Sequence, residues 1–214
     1  MQSLFVRPIS SKVATPWVLE KHYAKRLPQI KWAFGLFSGE DIIGIVAFGR
    51  PAAPMACVGV CGTEYKSSVW ELNRLVMSEP HGKNDTSFLV GNALKMLPPG
   101  SIVISYADKG VGHVGYIYQA TNWVYTGFTK ERTDGKMPNG QHARHNTTLK
   151  VDLSQRQTRT SKHRYVTFCG DKHVKKTLLA SLKWEIVTPY PKGETSKSIE
   201  WSPFQDTQGQ QSLF

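Results

Sequence analysis

The sequence predicts an α/β fold with a mixed central sheet and helices on its faces. Three observations predict it. Apolar runs of strand length recur along the chain, the early ones are joined by a hairpin-type turn, and the later ones alternate with segments of helical spacing. In order they give β, α, β, β, β, α, β, α, β. Hairpins first and strand–helix–strand units after argue a mixed α/β sheet rather than a barrel or a sandwich.

Residues 5–8 form the first expected strand. Thr15 suits a helix N-cap and Pro16 the first turn; Val18, Leu19 and Tyr23 fall at helical spacing and Pro28 ends the helix. Residues 30–37 and 41–48 are strand-like and flank Ser38-Gly39-Glu40-Asp41, a hairpin composition. A glycine-broken stretch, 50–63, precedes a strand at 68–76, whose apolar pattern is interrupted by Glu71, Asn73 and Arg74. A polar loop over 81–87 leads to a helix at 88–97, stopped by Pro98-Pro99-Gly100. Residues 102–105 read as a buried strand, 116–122 as a short aromatic helix and 123–128 as another strand. The stretch 129–146 has no period and reads as a loop. A strand at 147–153, a basic stretch at 156–164, a strand at 165–169, a helix at 172–182 and a last strand at 184–189 complete the pattern. One domain is expected over 1–191, and 192–214, polar and rich in Ser and Gln, reads as a mobile tail.

The chain has 214 residues with 40% apolar and 11% aromatic content, enough for a packed core. No apolar run reaches membrane-spanning length and no signal peptide is evident, so a cytoplasmic protein without a membrane partner is expected. Lys and Arg number 27 against 16 acids, a formal charge of +11, which biases the surface toward polyanions. Much of the excess lies between Lys130 and Lys176; an inert basic surface is the alternative. Three cysteines, Cys57, Cys61 and Cys169, do not make a disulfide framework. On one strand Cys57 and Cys61 would lie about 13 Å apart, too far to chelate together.

Chemistry-bearing residues concentrate in 102–128. Asp108, His113, Tyr116 and Tyr118 cluster at the carboxyl end of a strand and on the helix after it, where open α/β sheets bind ligands. Asp108 suits an Asx-turn or N-cap as well as a general base or metal ligand. Tyr118 suits core packing as well as proton transfer. His113 reads as a loop imidazole, and Tyr116 faces a different side of its helix from Tyr118.

The element order resembles the GNAT acyltransferase fold, with its mostly antiparallel central sheet, here with basic loop insertions. The resemblance implies that the loop before the helix at 88–97 grips a donor pyrophosphate, with Gly82, Lys83, Asn84 and Ser87 at the place of the family's glycine-rich signature. Only Gly82 fits that signature well. Arg74 either pairs with Glu71, reaches donor phosphates or points to solvent. A tyrosine on the helix that carries Tyr118 protonates the leaving thiolate in many GNAT enzymes. A closer resemblance is to the Mom-type phage proteins. It rests on HYAKRLPQIKWAFGLF (22–37), WELNRLVM (70–77), HGKNDTS (81–87), SYADKGVGHVGYIYQATNWVYTG (105–127) and the DGK to HARH stretch (134–145). Members of that family convert adenine in DNA to an N6-carbamoylmethyl derivative and so shield phage DNA from restriction.

The resemblance implies a site built from His22, Tyr23, Asp108 and Tyr118, an imidazole, carboxylate and phenol set able to hold iron or another first-row metal. His22 at a helix end also suits a dipole role. The acyl donor is left open between acetyl-CoA and a glycyl-type donor. The expected partner is double-stranded DNA with a flipped adenine, held at phosphates by Arg144, His145, Arg156, Arg159, Lys162, Arg164, Lys172, Lys175 and Lys176. Trp32, Phe34 and Tyr106 are available to stack on the base. A homodimer is left open, and the compartment implied is the host cytoplasm. Two other readings stay open: an acetyl-CoA-dependent N-acetyltransferase on a small-molecule or protein amine, and a basic DNA-binding protein without catalysis.

Overall fold

A computed structural model describes residues 3–22, 26–136 and 152–193. Nine strands are described: β1 (Leu4–Ile9), β2 (Trp32–Ser38), β3 (Asp41–Gly49), β4 (Val69–Met77), β5 (Ile102–Asp108), β6 (Val124–Phe128), β7 (Arg132–Lys136), β8 (Asp152–Arg159) and β9 (Lys162–Phe168). The helices are α1 (Ser11–Pro16), which runs on into a π-helical turn at Trp17–Lys21, then α2 (Pro54–Gly59), α3 (Asp85–Met96), α4 (Tyr116–Ala120) and α5 (Lys172–Ala180).

Seven strands form one sheet in the order β1-β2-β3-β4-β5-β9-β6, and β7 and β8 form a separate two-stranded ribbon. Every pair is antiparallel except β4–β5. The mixed, mostly antiparallel sheet flanked by helices is thus the fold expected from the sequence. Apolar residues of alternating register bury both faces. On one face Leu72, Val103 and Ala107 pack with Leu89, Val90 and Ala93 of α3 and Tyr118 of α4. On the other, Val69, Ile102, Ile104 and Val166 pack with Leu178 of α5 and with Val60 and Cys61 after α2.

Several elements depart from expectation. The first helix starts at Ser10, whose side chain accepts from the Val13 N–H; Thr15 instead donates back to the Ser11 carbonyl. The glycine-broken stretch contains α2 and a 3-10 turn at Thr63–Ser68, with Pro54 at the helix start. The loop expected over 129–146 includes β7. Residues 184–189 add no strand to the sheet. Their alternation reflects side-chain docking, with one ladder-like bond from Val187 N–H to the Tyr125 carbonyl.

The feature that makes the site is a parting of two strands. The parallel ladder of β4 and β5 covers only Val69–Glu71 against Ile102–Ile104. Beyond it β4 stays with β3 as far as Met77, and β5 stays with β9 as far as Asp108. A bulge contributes: Leu72 and Arg74 face consecutive residues of β3, so Asn73 is extra, and the alternation of β4 inverts there.

Candidate active site

The parting opens a cleft of about 1250 Å³. That exceeds the usual single small-molecule pocket, so there is room for two reactants. Ser105 ties its apex: its hydroxyl donates to the Leu72 carbonyl at 2.9 Å, taking up a backbone acceptor that the parted ladder leaves unpaired. The Tyr118 hydroxyl lies 2.8 Å from the same oxygen. Because a carbonyl only accepts, the arrangement that satisfies all three groups runs Tyr118 O–H to Ser105, Ser105 O–H to Leu72.

Gly115 places Tyr118. It caps α4 with φ +81°, and a Cβ there would stand 2.5 Å from the Tyr165 ring and 2.9 Å from Tyr118. Tyr165 donates to the Val114 carbonyl and packs its ring on Tyr118 at 5.1 Å, while Trp123 closes the other side at 5.0 Å. Tyr118 is therefore both a core aromatic and a cleft-lining hydroxyl.

On the opposite face of the sheet the cleft is lined by His22, Glu71, Arg74, Tyr106, Arg164 and Trp184. Burial, then the nearby Arg74 charge, pushes the His22 imidazole down to about 4, so it is neutral at neutral pH. Burial lifts Glu71 to about 6, against the Ala52 N–H bond and the charges of Arg74 and Lys162. A carboxyl poised there can accept and return a proton near neutrality. Burial, then the Glu71 charge, raises the Tyr106 phenol, which stays protonated. Arg164 lays its guanidinium 4.0 Å over the Trp184 ring and is fixed edge-on by Thr126.

The expected residues distribute as follows. His22, Arg74 and Tyr118 line the one cleft, with Arg159, Lys162 and Arg164. Arg74 binds Arg26 O through Nε and Nη2, at 3.2 and 2.7 Å, and so ties the segment after His22 to β4. Asp108 does not itself line the cleft, though Ala107, Thr160 and Lys162 do, and its carboxylate is engaged: Lys162 Nζ lies at 2.6 Å, Thr160 Oγ1 at 2.7 Å and the Gly110 N–H at 2.9 Å. Burial alone would raise its pKa, but these hydrogen bonds and the Lys162 charge outweigh it and hold it below the usual range. His113 is exposed and lines the cleft. Lys172, Lys175 and Lys176 lie exposed on α5 and do not line the cleft. Tyr23, Arg144 and His145 lie outside the described residues. Arg156 is described only by its backbone, opposite Gly135.

The residues of the two expected ligand sites have the following surroundings. The start of α3 is filled by its own carboxylate: Asp85 accepts from the Gly82 N–H at 2.7 Å and Ser87 turns back to the Asn84 carbonyl. Gly82, Lys83, Asn84 and Ser87 do not line the cleft. Among the described residues, no three His, Cys, Asp or Glu side chains come together as a metal-ligating group. Asp108 spends its oxygens on Lys162, Thr160 and Gly110, and Tyr118 reaches the cleft from the face opposite His22. Of the aromatics expected to stack, Phe34 is core, Trp32 packs edge-on against Trp70, and Tyr106 lines the cleft.

Ser105 and Trp184 had no expected role in the site, and Glu71 was expected as a break in a strand and as one pairing partner for Arg74. Glu71 carried a signal, the lone acid in a strand-like run. Ser105 carried none, because a serine ending an apolar run looks like any strand end.

A family model described as the Mom protein family matches residues 3–192. The chain is similar to methylcarbamoylase mom of Escherichia phage Mu, 30% identical over 131 residues, covering 59% of this chain and 54% of that protein. The match thus spans about half the length of that curated relative. Among solved structures it is similar to Arabidopsis thaliana NAA60 in complex with acetyl-CoA, at 12% identity and TM-score 0.48, covering 78% of this chain and 98% of that one. It is also similar to the ribosomal-protein-S18-alanine N-acetyltransferase of Escherichia coli, at 6% identity and TM-score 0.46, covering 79% and 96%.

Proposed function

The chain belongs to the Mom protein family, and on that premise we propose that it is a DNA-modifying enzyme that places a carbamoylmethyl group on N6 of adenine, protecting phage DNA from restriction. The observation that carries the reading is the cleft at the β4–β5 parting. It holds a neutral imidazole, a carboxyl titrating near neutrality and a phenol, and it opens beside basic residues: Lys130, Arg132, Arg159 and Lys162.

Adenine N6 is a weak nucleophile buried in the duplex, so the base must leave the stack before reaction. The exposed aromatics Tyr116 and Phe128 and the exposed Met55 at the cleft suit contact with unstacked bases. In the reaction N6 loses one proton and bonds to a donor carbon, and the donor's leaving group departs with a proton. A carbamoylmethyl donor gives the product directly. A glycyl donor gives an N6-acyl adduct isomeric with the product, which becomes it by rearrangement without gain or loss of atoms. Either route needs a base at N6 and an acid at the leaving group. His22 and Glu71 on one face and Tyr118 on the other suit proton transfers at opposite ends of one cleft.

The test is mass spectrometry of nucleosides from DNA of cells expressing the chain. Deoxyadenosine heavier by one carbamoylmethyl group is expected. Unmodified deoxyadenosine throughout would reject the reading, and an acetylated small-molecule or protein amine would replace it.

A further inference from the structure

We infer that Glu71 and Tyr106, with Arg164 and Trp184 beside them, form the pocket that reads the extruded adenine, Glu71 accepting from the N6 amine and Tyr106 donating to N1. The inference rests on the DNA-modification reading above and assigns one end of the cleft to the base.

The geometry comes first. Tyr106 follows the last paired residue of β5 by two positions and Glu71 is the last paired residue of β4, so both sit where the strands part. Ile104 and Tyr106 alternate onto the face covered by α5 and the segment after α2, and Val69 and Glu71 do the same from β4. Glu71, Tyr106, Arg164 and Trp184 line the same cleft, with Ala52, Ala53, Met55 and Ala56 as an apolar wall. Arg164 is opposite Tyr106 in the β5–β9 register, so its guanidinium, stacked on Trp184, borders the two reading groups.

The chemistry is complementary. The Watson–Crick edge of adenine offers one donor, the N6 amine, beside one acceptor, N1. An acceptor carboxylate and a protonated phenol on one wall of the cleft, both at the end of the β4–β5 ladder, match that pattern. Hypoxanthine inverts the pattern, with an O6 acceptor beside an N1–H donor, and presents like to like. The planar Arg164–Trp184 pair supplies what a base removed from its stack has lost; aromatic and guanidinium planes commonly take that place. No other group in the cleft is required for this discrimination, since phosphate contacts carry no base information.

The full chain is titrated with duplexes carrying one adenine, or one hypoxanthine, opposite an abasic position, so that extrusion is easy. Product formation on the adenine duplex is followed in parallel. Wild type is expected to bind the adenine duplex about tenfold or more tightly, the discrimination of one good bidentate pair. Glu71→Ala should bring the ratio close to one, and Tyr106→Phe should cut it several-fold. Retention of the wild-type ratio by both variants, or product formation by wild type without any preference, would overturn the inference while leaving the modification reading intact. Absence of product from wild type would instead reject that reading, and the inference with it. If Glu71→Ala is insoluble, Tyr106→Phe and Trp184→Leu carry the test. Trp184→Leu should weaken binding of both duplexes equally and leave the ratio unchanged; a changed ratio counts against the assignment of reading to Glu71 and Tyr106.

Discussion

His22 owes its neutral imidazole to burial first and to Arg74 second. With a folded value near 4 and an ordinary value of 6.5, the unfolded chain binds the extra proton between those limits. The contribution of His22 to stability is therefore complete above pH about 6.5 and is lost as pH falls toward 4. Replacing Arg74 by Met removes the smaller of the two causes, so the imidazole should titrate above 4 but below 6.5; an NMR titration of the ring reads this directly. Asp108 has the opposite origin and the same sign. Its folded value is depressed, so its ion pair with Lys162 stabilises fully above the ordinary carboxylate range and is lost as pH falls through the folded value. Asp108→Asn should cost about 1–3 kcal/mol at pH 7 by denaturant unfolding. The gap to wild type should close at acid pH. Its place at the end of β5 was legible because an acid closing an apolar strand stands out. That Lys162, Thr160 and Gly110 would occupy it was not legible, because those partners meet it only across β5–β9 and the turn after it.

At the scale of elements, the hairpin β2–β3, the order of the strands from β1 to β6 and the aromatic helix α4 were readable, since apolar period and turn composition are local. The parting of β4 and β5 was not. It follows from a bulge at Asn73 and a ladder that ends at Glu71, and neither leaves a pattern that one strand's sequence reveals. Ser105→Ala tests the tie across that parting. It leaves the Leu72 carbonyl without its side-chain partner and the Tyr118 hydroxyl without Ser105, which should cost about 1–3 kcal/mol by equilibrium unfolding. It should also slow modification, whereas Tyr118→Phe, which keeps the ring packing, should cost about 1 kcal/mol and act mainly on rate. Gly115→Ala should be at least as damaging as either, because it combines a left-handed backbone with a Cβ inside the Tyr165 ring's contact distance.

At the scale of the molecule, the +11 charge pointed to a polyanion, and two sets of the described cations differ in their relation to the cleft. Arg132 and Arg159 face each other across the β7–β8 ribbon and line the cleft, while Lys172, Lys175 and Lys176 ride on α5 away from it. Like charges directly opposite on neighbouring strands disfavour each other, and an anion between them relieves that cost. Replacing Arg132 and Arg159 by Gln should weaken DNA binding and reduce the slope of log affinity against log salt by about two. The α5 lysines, replaced together, should change the slope without changing product formed at saturating DNA. Which cations border the cleft was beyond the sequence, because the ribbon brings residues 132 and 159 together from across a long insertion. The most direct measurement of the central claim is the nucleoside mass spectrum of DNA from cells expressing the wild-type chain. Deoxyadenosine bearing one carbamoylmethyl group at N6 is expected, absent when Glu71 is replaced by Ala. Deoxyadenosine that stays unmodified in the wild type would contradict that claim.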